Sequence, residues 1–144
     1  MNNKPISSSE NKDTEKDEES ALHFKRMEKY TTDYLKDLST MGDNPDILRE
    51  IIHFIMFRQE RDRDLFLKEI DLEGFAMIGT FYQSQNDYPF SVEILKNEKT
   101  HLEDVTQFIN IVGKCALAHH GIYNNWETVA ISNIDEYKDR HEEN

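Results

Sequence analysis

The side chains best suited to metal ligation or nucleophilic attack are six histidines and one cysteine. His119 and His120 are adjacent, and Cys115 lies four residues upstream. Zinc needs three or four converging ligands, commonly at Cys-x-x-Cys or His-x-x-x-His spacing. Adjacent histidines at a helix end point in different directions, and the sequence identifies no third ligand. The pair reads as an exposed helix C-terminus, where a histidine also favours the helix dipole. No metal and no cofactor is expected. His53 lies inside an apolar run and reads as a satisfied, half-buried histidine, because a general base would need an acid or nucleophile partner. Cys115 reads as a small core residue of a helix rather than a nucleophile. GxSxG, HExxH and dinucleotide motifs are absent, and five glycines leave little room for a phosphate-cradling loop. These readings point away from an enzyme.

Two further stretches carry binding chemistry. Arg58, Arg61 and Arg63 form a basic cluster, but Glu60, Asp62 and Asp64 alternate with them, so it reads as a self-neutralising helix start. Tyr123, Asn124, Asn125, Trp126 and Glu127, followed by Thr128, make the most informative segment. Asn-Asn tolerates left-handed backbone and can kink or bulge a strand. Tyr123 and Trp126 flank it, either as an aromatic pair packed in the core or as partner-binding anchors. The first of these two readings has the better odds. The five residues Tyr123 to Glu127 are the candidate partner-binding site.

The formal net charge of −12 over 144 residues disfavours direct contact with nucleic acid or an anionic membrane. It suits a basic protein partner. Half of that charge falls in the first twenty and last ten residues, at −3 each. Residues 1–19 and 135–144 are nearly devoid of apolar side chains and are expected to be disordered acidic tails around a domain of residues 20–134. The first twenty residues have no apolar stretch of the kind a signal peptide needs, and one lone thiol fits a reducing compartment. A cytoplasmic location, bacterial or other, is the expectation.

The elements that must hold these residues are legible from periodicity. Ser20 can cap a helix from Ala21, in which Met27, Tyr30, Tyr34, Leu38 and Met41 form one stripe, ended by Gly42. Leu48–Phe57 is apolar on both faces and reads as a central strand covered on both sides. Gln59–Glu73 reads as a polar helix with Leu65, Phe66 and Ile70 inward, closed by Gly74. Phe75–Tyr82 and the alternating run from Phe90 read as strands. Thr100-His101-Leu102-Glu103 is a capping box for a helix with Leu102, Val105, Ile109, Val112 and Ala116 on one side. Gly121–Ile131 reads as the last strand. The order βαββαβ predicts an α+β, ferredoxin-like antiparallel sheet with two helices on one face. The extra N-terminal helix is expected to cover the other face.

Three stretches together resemble one family, the regulator of ribonuclease activity B (RraB) proteins. Tyr123 to Thr128 is similar to that family's Tyr-Asp-Gly-Trp-Glu-like segment, with Asn124-Asn125 in place of Asp-Gly. Met41-Gly42-Asp43-Asn44-Pro45-Asp46 is similar to its Gly-x-Asp-Pro turn, and Leu72-Glu73-Gly74-Phe75 to its Leu-x-x-Gly-Phe/Tyr segment. The likeness covers roughly residues 25–132 and implies the same ferredoxin-like fold. It also implies a non-catalytic protein that binds the endoribonuclease RNase E, or a similar enzyme, and damps RNA cleavage. Composition equally permits another acidic binding module, such as an immunity-type protein neutralising a basic toxin. An enzyme using His53 or Cys115 is the third reading.

Overall fold

The computed structural model describes residues 8–142. The elements run α1 (Ser8–Thr40), β1 (Arg49–Phe57), α2 (Glu60–Asp71), β2 (Ala76–Tyr82), β3 (Phe90–Glu98), α3 (Leu102–Ala118), β4 (Ile122–Glu127) and α4 (Ile134–Glu142). The four strands form one sheet in the order β2-β3-β1-β4, and every neighbouring pair is antiparallel. That is the ferredoxin-like order, in which the two βαβ halves interleave.

Three helices end on the same device. Gly42 has φ +83, and the Asp43 N–H reaches back to the Leu38 carbonyl at 3.0 Å. This is a Schellman cap, which needs left-handed backbone at the residue after the cap. Gly74 (φ +88) does the same for α2, with Phe75 N–H to Ile70 O. At the end of α3 the left-handed residue is His120 (φ 57), and Gly121 N–H reaches Ala116 O at 2.8 Å.

Residues 49, 51, 53, 55 and 57 of β1 are buried, whereas Ile52, Phe54 and Met56 on the opposite face are half-buried. Helices α2 and α3 cover the first face, burying Phe66 and Ile70 of one and Val105, Phe108 and Val112 of the other. Of the three apolar residues expected inward on α2, Leu65 is largely exposed.

Several expectations need correction. The extra helix α1 does not cover the second face. It lies on the helix side, beside α3 and along the edge strand β4, with Met27, Thr31 and Leu38 buried. An apolar stripe must be covered, but its periodicity does not name the cover. Among the described residues the second face of β1 is thus covered only in part, with Tyr137 of α4 beside Glu50 and Ile52. The helix also begins at Ser8 rather than Ala21, so residues 8–19, expected to be disordered, are helical. Glu and Lys are good helix formers, and a helix anchored further along propagates more readily than it nucleates. Likewise α4 occupies residues expected to form a structureless tail. Residues 1–7 and 143–144 of the two expected tails lie outside the described residues. The capping box does not form, because the Thr100 hydroxyl donates to Asp43 Oδ2 at 2.7 Å and His101 is the N-cap without a side-chain bond.

Candidate functional site

The segment Tyr123–Glu127 lies on β4, at one edge of the sheet. In a regular strand, residues three apart point to opposite faces. Tyr123 and Trp126 nevertheless face the same side. The register with β1 runs Phe54↔Asn125, then Ile55↔Tyr123, so Asn124 is the extra residue of a β-bulge. The bulge needs no left-handed asparagine; among the described residues only His120 departs from φ below zero without being glycine.

Both aromatic residues are core. Trp126 is 0% exposed, its indole N–H donates to Thr31 Oγ1 at 3.0 Å, and its ring lies 4.8 Å from Tyr34 and 5.2 Å from Phe108. Tyr123 is 3% exposed, and its hydroxyl sits 2.6 Å from His53 Nδ1. Burial holds His53 neutral, its pKa lowered from 6.5 to about 3, and pushes the Tyr123 phenol well up. His53 Nε2 has no hydrogen-bond partner among the described residues, and the ring stands edge-on to Phe75 and Phe108. His53 is fully buried, so this pair meets no substrate as it stands. The exposed part of the segment is polar. Asn124 donates to Asn125 Oδ1, and Asn125 donates to Glu127 Oε1.

Helix α1 seals the outer edge of β4. The Tyr30 hydroxyl donates to the Trp126 carbonyl at 2.9 Å. The Tyr34 hydroxyl donates to Thr128 O at 2.7 Å and accepts from Thr128 N–H at 2.9 Å. Burial raises both phenol pKa values, which keeps them as donors. A paired edge cannot recruit another strand.

The turn Met41–Asp46 is a joint. The Arg49 side chain is 0% exposed and donates to Asp43 Oδ1 and to the carbonyls of Asn44, Ile47 and Val129. Asp43 also accepts the Ile131 N–H and the Thr100 hydroxyl. One buried ion pair thus ties the end of α1, the start of β1, the approach to α3 and the chain after β4. In the third stretch, Gly74 turns the chain so that Phe75 enters the core against His53. All three stretches build the fold, and only Asn124, Asn125 and Glu127 of the candidate site are open to a partner.

Two surfaces stay open. On the second face of the sheet, Ile52, Phe54, Met56 and Leu95 are half-buried, and Glu50, Glu93 and Glu127 stand among them by register. Edge strand β2 exposes Met77, Ile78, Phe81 and Tyr82. Neither is obvious in sequence, because an apolar strand residue reads the same whether a helix covers it or not. The Arg63 guanidinium pairs with Glu60 and Asp64, as the alternating charges predict.

At the far end of α3, His119 is not simply exposed. Its Nε2 meets a carboxylate oxygen of Glu69 on α2, next to the buried Cys115 thiol. The sequence brings Cys115 and His119 together by helical spacing, but it gives no sign of Glu69.

Among the described residues, no helix is long and apolar enough to cross a membrane. A search of curated proteins found no match to the chain. The family model for regulator of ribonuclease activity B, RraB, matches residues 28–128. That span runs from the buried part of α1 to the end of β4 and contains all three motif stretches, so the chain belongs to the RraB family of regulators of ribonuclease activity.

Proposed function

We infer that this protein is a non-catalytic regulator that binds an endoribonuclease of the RNase E kind and restrains its cleavage of RNA. The observation that carries the reading is the family match over residues 28–128. The geometry supports a binding role. Tyr123, Trp126 and His53, which sequence alone could assign to chemistry, serve the core, while the open face of the sheet is apolar with carboxylates set into it. Such a face suits a partner segment that brings both apolar and basic side chains. Asn124, Asn125 and Glu127 border that face on β4, and Tyr123 and Trp126 support it from beneath. The net charge of −12 speaks against direct RNA binding, so restraint would act through the nuclease. A cytoplasmic site of action follows from that partner.

The test is capture of a purified RNase E-type nuclease by the tagged chain, together with a cleavage assay on a structured RNA. The expected result is a complex and slower cleavage. Phe54→Glu, on the open face, is expected to abolish both while leaving the circular dichroism unchanged. A chain that neither captures the nuclease nor slows cleavage sinks the reading.

A further inference from the structure

We propose that Glu69, Cys115 and His119 bind a divalent transition-metal ion of the zinc class, which clamps α2 onto the C-terminal end of α3. The ligand atoms of the three residues all lie within 4.8 Å of one another. Zinc bonds of 2.0–2.3 Å place tetrahedral ligand atoms about 3.5 Å apart, so the His119–Glu69 pair, now in hydrogen-bond contact, has to open while the thiol closes in by about 1 Å. The Glu69 side chain is 53% exposed and the His119 side chain 19%, so the surface ligand is the one free to move.

The chemistry of the set is selective. Thiolate, imidazole and carboxylate are the three usual protein ligands of zinc, whereas a thiolate disfavours magnesium and calcium. One thiolate and one carboxylate balance the charge of a divalent ion, with neutral imidazole as the third donor. A three-residue set leaves a fourth position for water or for a partner's side chain. Cys115 and His119 are one helical turn apart on α3, and His119 is the residue at which the helix ends. Glu69 comes from the last turn of α2. The site therefore spans two elements that also meet through apolar packing, the Glu69–His119 contact and a weak bond from the Cys115 thiol to the Phe66 carbonyl at 3.9 Å.

Without a metal, His119 and Glu69 bond to each other and the Cys115 thiol donates to the Phe66 carbonyl. Cys115 is buried, and burial together with the neighbouring Glu69 carboxylate pushes the thiol up to about 12. Of these two causes the carboxylate, not the burial, favours a cation beside the sulfur. Binding releases the thiol proton to solvent, and the metal takes its place between sulfur and carboxylate.

Cobalt(II) titration of the full chain under reducing conditions tests this. Cys115 is the only cysteine, so a near-ultraviolet thiolate-to-cobalt charge-transfer band reports this site alone. The expected result is saturation at one equivalent, displacement by zinc, and loss of the band in Cys115→Ser. Glu69→Gln and His119→Ala are expected to weaken binding about tenfold or more, the cost usual for a lost ligand or its close support. Neither side chain belongs to the hydrophobic core, so folding can be checked independently. One equivalent of zinc is expected to raise the melting temperature of the wild type more than that of either variant. The proposal is overturned if the wild type gives no charge-transfer band, if the band saturates at half an equivalent because two chains share the ion, or if both surface variants keep full affinity.

Discussion

Acidification is expected to weaken this fold chiefly through His53. The residue is 0% exposed, and burial lowers its pKa from 6.5 to about 3. The unfolded chain takes up a proton near 6.5, whereas the folded chain refuses it until near 3. Between those values the unfolded state binds more protons, so stability falls as pH drops. The contribution is intact above 6.5 and is lost progressively toward 3. At about pH 5 the gap to 6.5 is about 1.5 units, which corresponds to about 2 kcal/mol. Urea unfolding at about pH 7.5 and about pH 5 measures the loss. The control is the double variant His53→Phe/Tyr123→Phe, which removes the buried hydrogen bond without stranding either partner. Its other histidines are those of the wild type, so their effect cancels in the comparison. The wild type is expected to lose about 2 kcal/mol more than the variant. Equal losses, or an NMR titration placing His53 near 6.5, would refute the assignment.

Other perturbations probe the joints. Asp43→Ala leaves the fully buried Arg49 guanidinium without its counter-ion, and a loss of about 3–5 kcal/mol in denaturant unfolding is expected. Thr31→Val strands the Trp126 indole N–H in the core, for an expected loss of about 1–3 kcal/mol by the same assay. Gly121→Ala drives a Cβ into the buried Phe57 ring, and overpacking there should lower stability by about 1–3 kcal/mol, read as a drop in melting temperature.

Local pattern was enough for the order of elements from α1 to β4, though not for α4. The three-and-four spacing in residues 102–116 and the alternation from Phe90 are properties of neighbouring residues, and they report helix and strand wherever the segment finally packs. Gly42 and Gly74 read correctly as helix stops, because a left-handed cap favours a residue without a Cβ. The family likeness came from the same scale: short turns and one strand, each defined by a few adjacent residues.

Partnership between distant segments was decided only by the tertiary structure. Thr100 looked like a helix cap, but Asp43, 57 residues away, claims its hydroxyl. Tyr123 and Trp126 read as core in preference to interface, and the bulge at Asn124 is what turns both inward. The run Ile51–Phe57 is apolar on both faces whether or not both are covered, and α1 left one of them open by packing beside α3 instead. His119 and Cys115 lacked a third ligand in one dimension, and packing of α2 against α3 supplies Glu69 in three. The physical reason is the same in each case. Periodicity records what a segment must bury, whereas the packed fold determines which neighbour buries it.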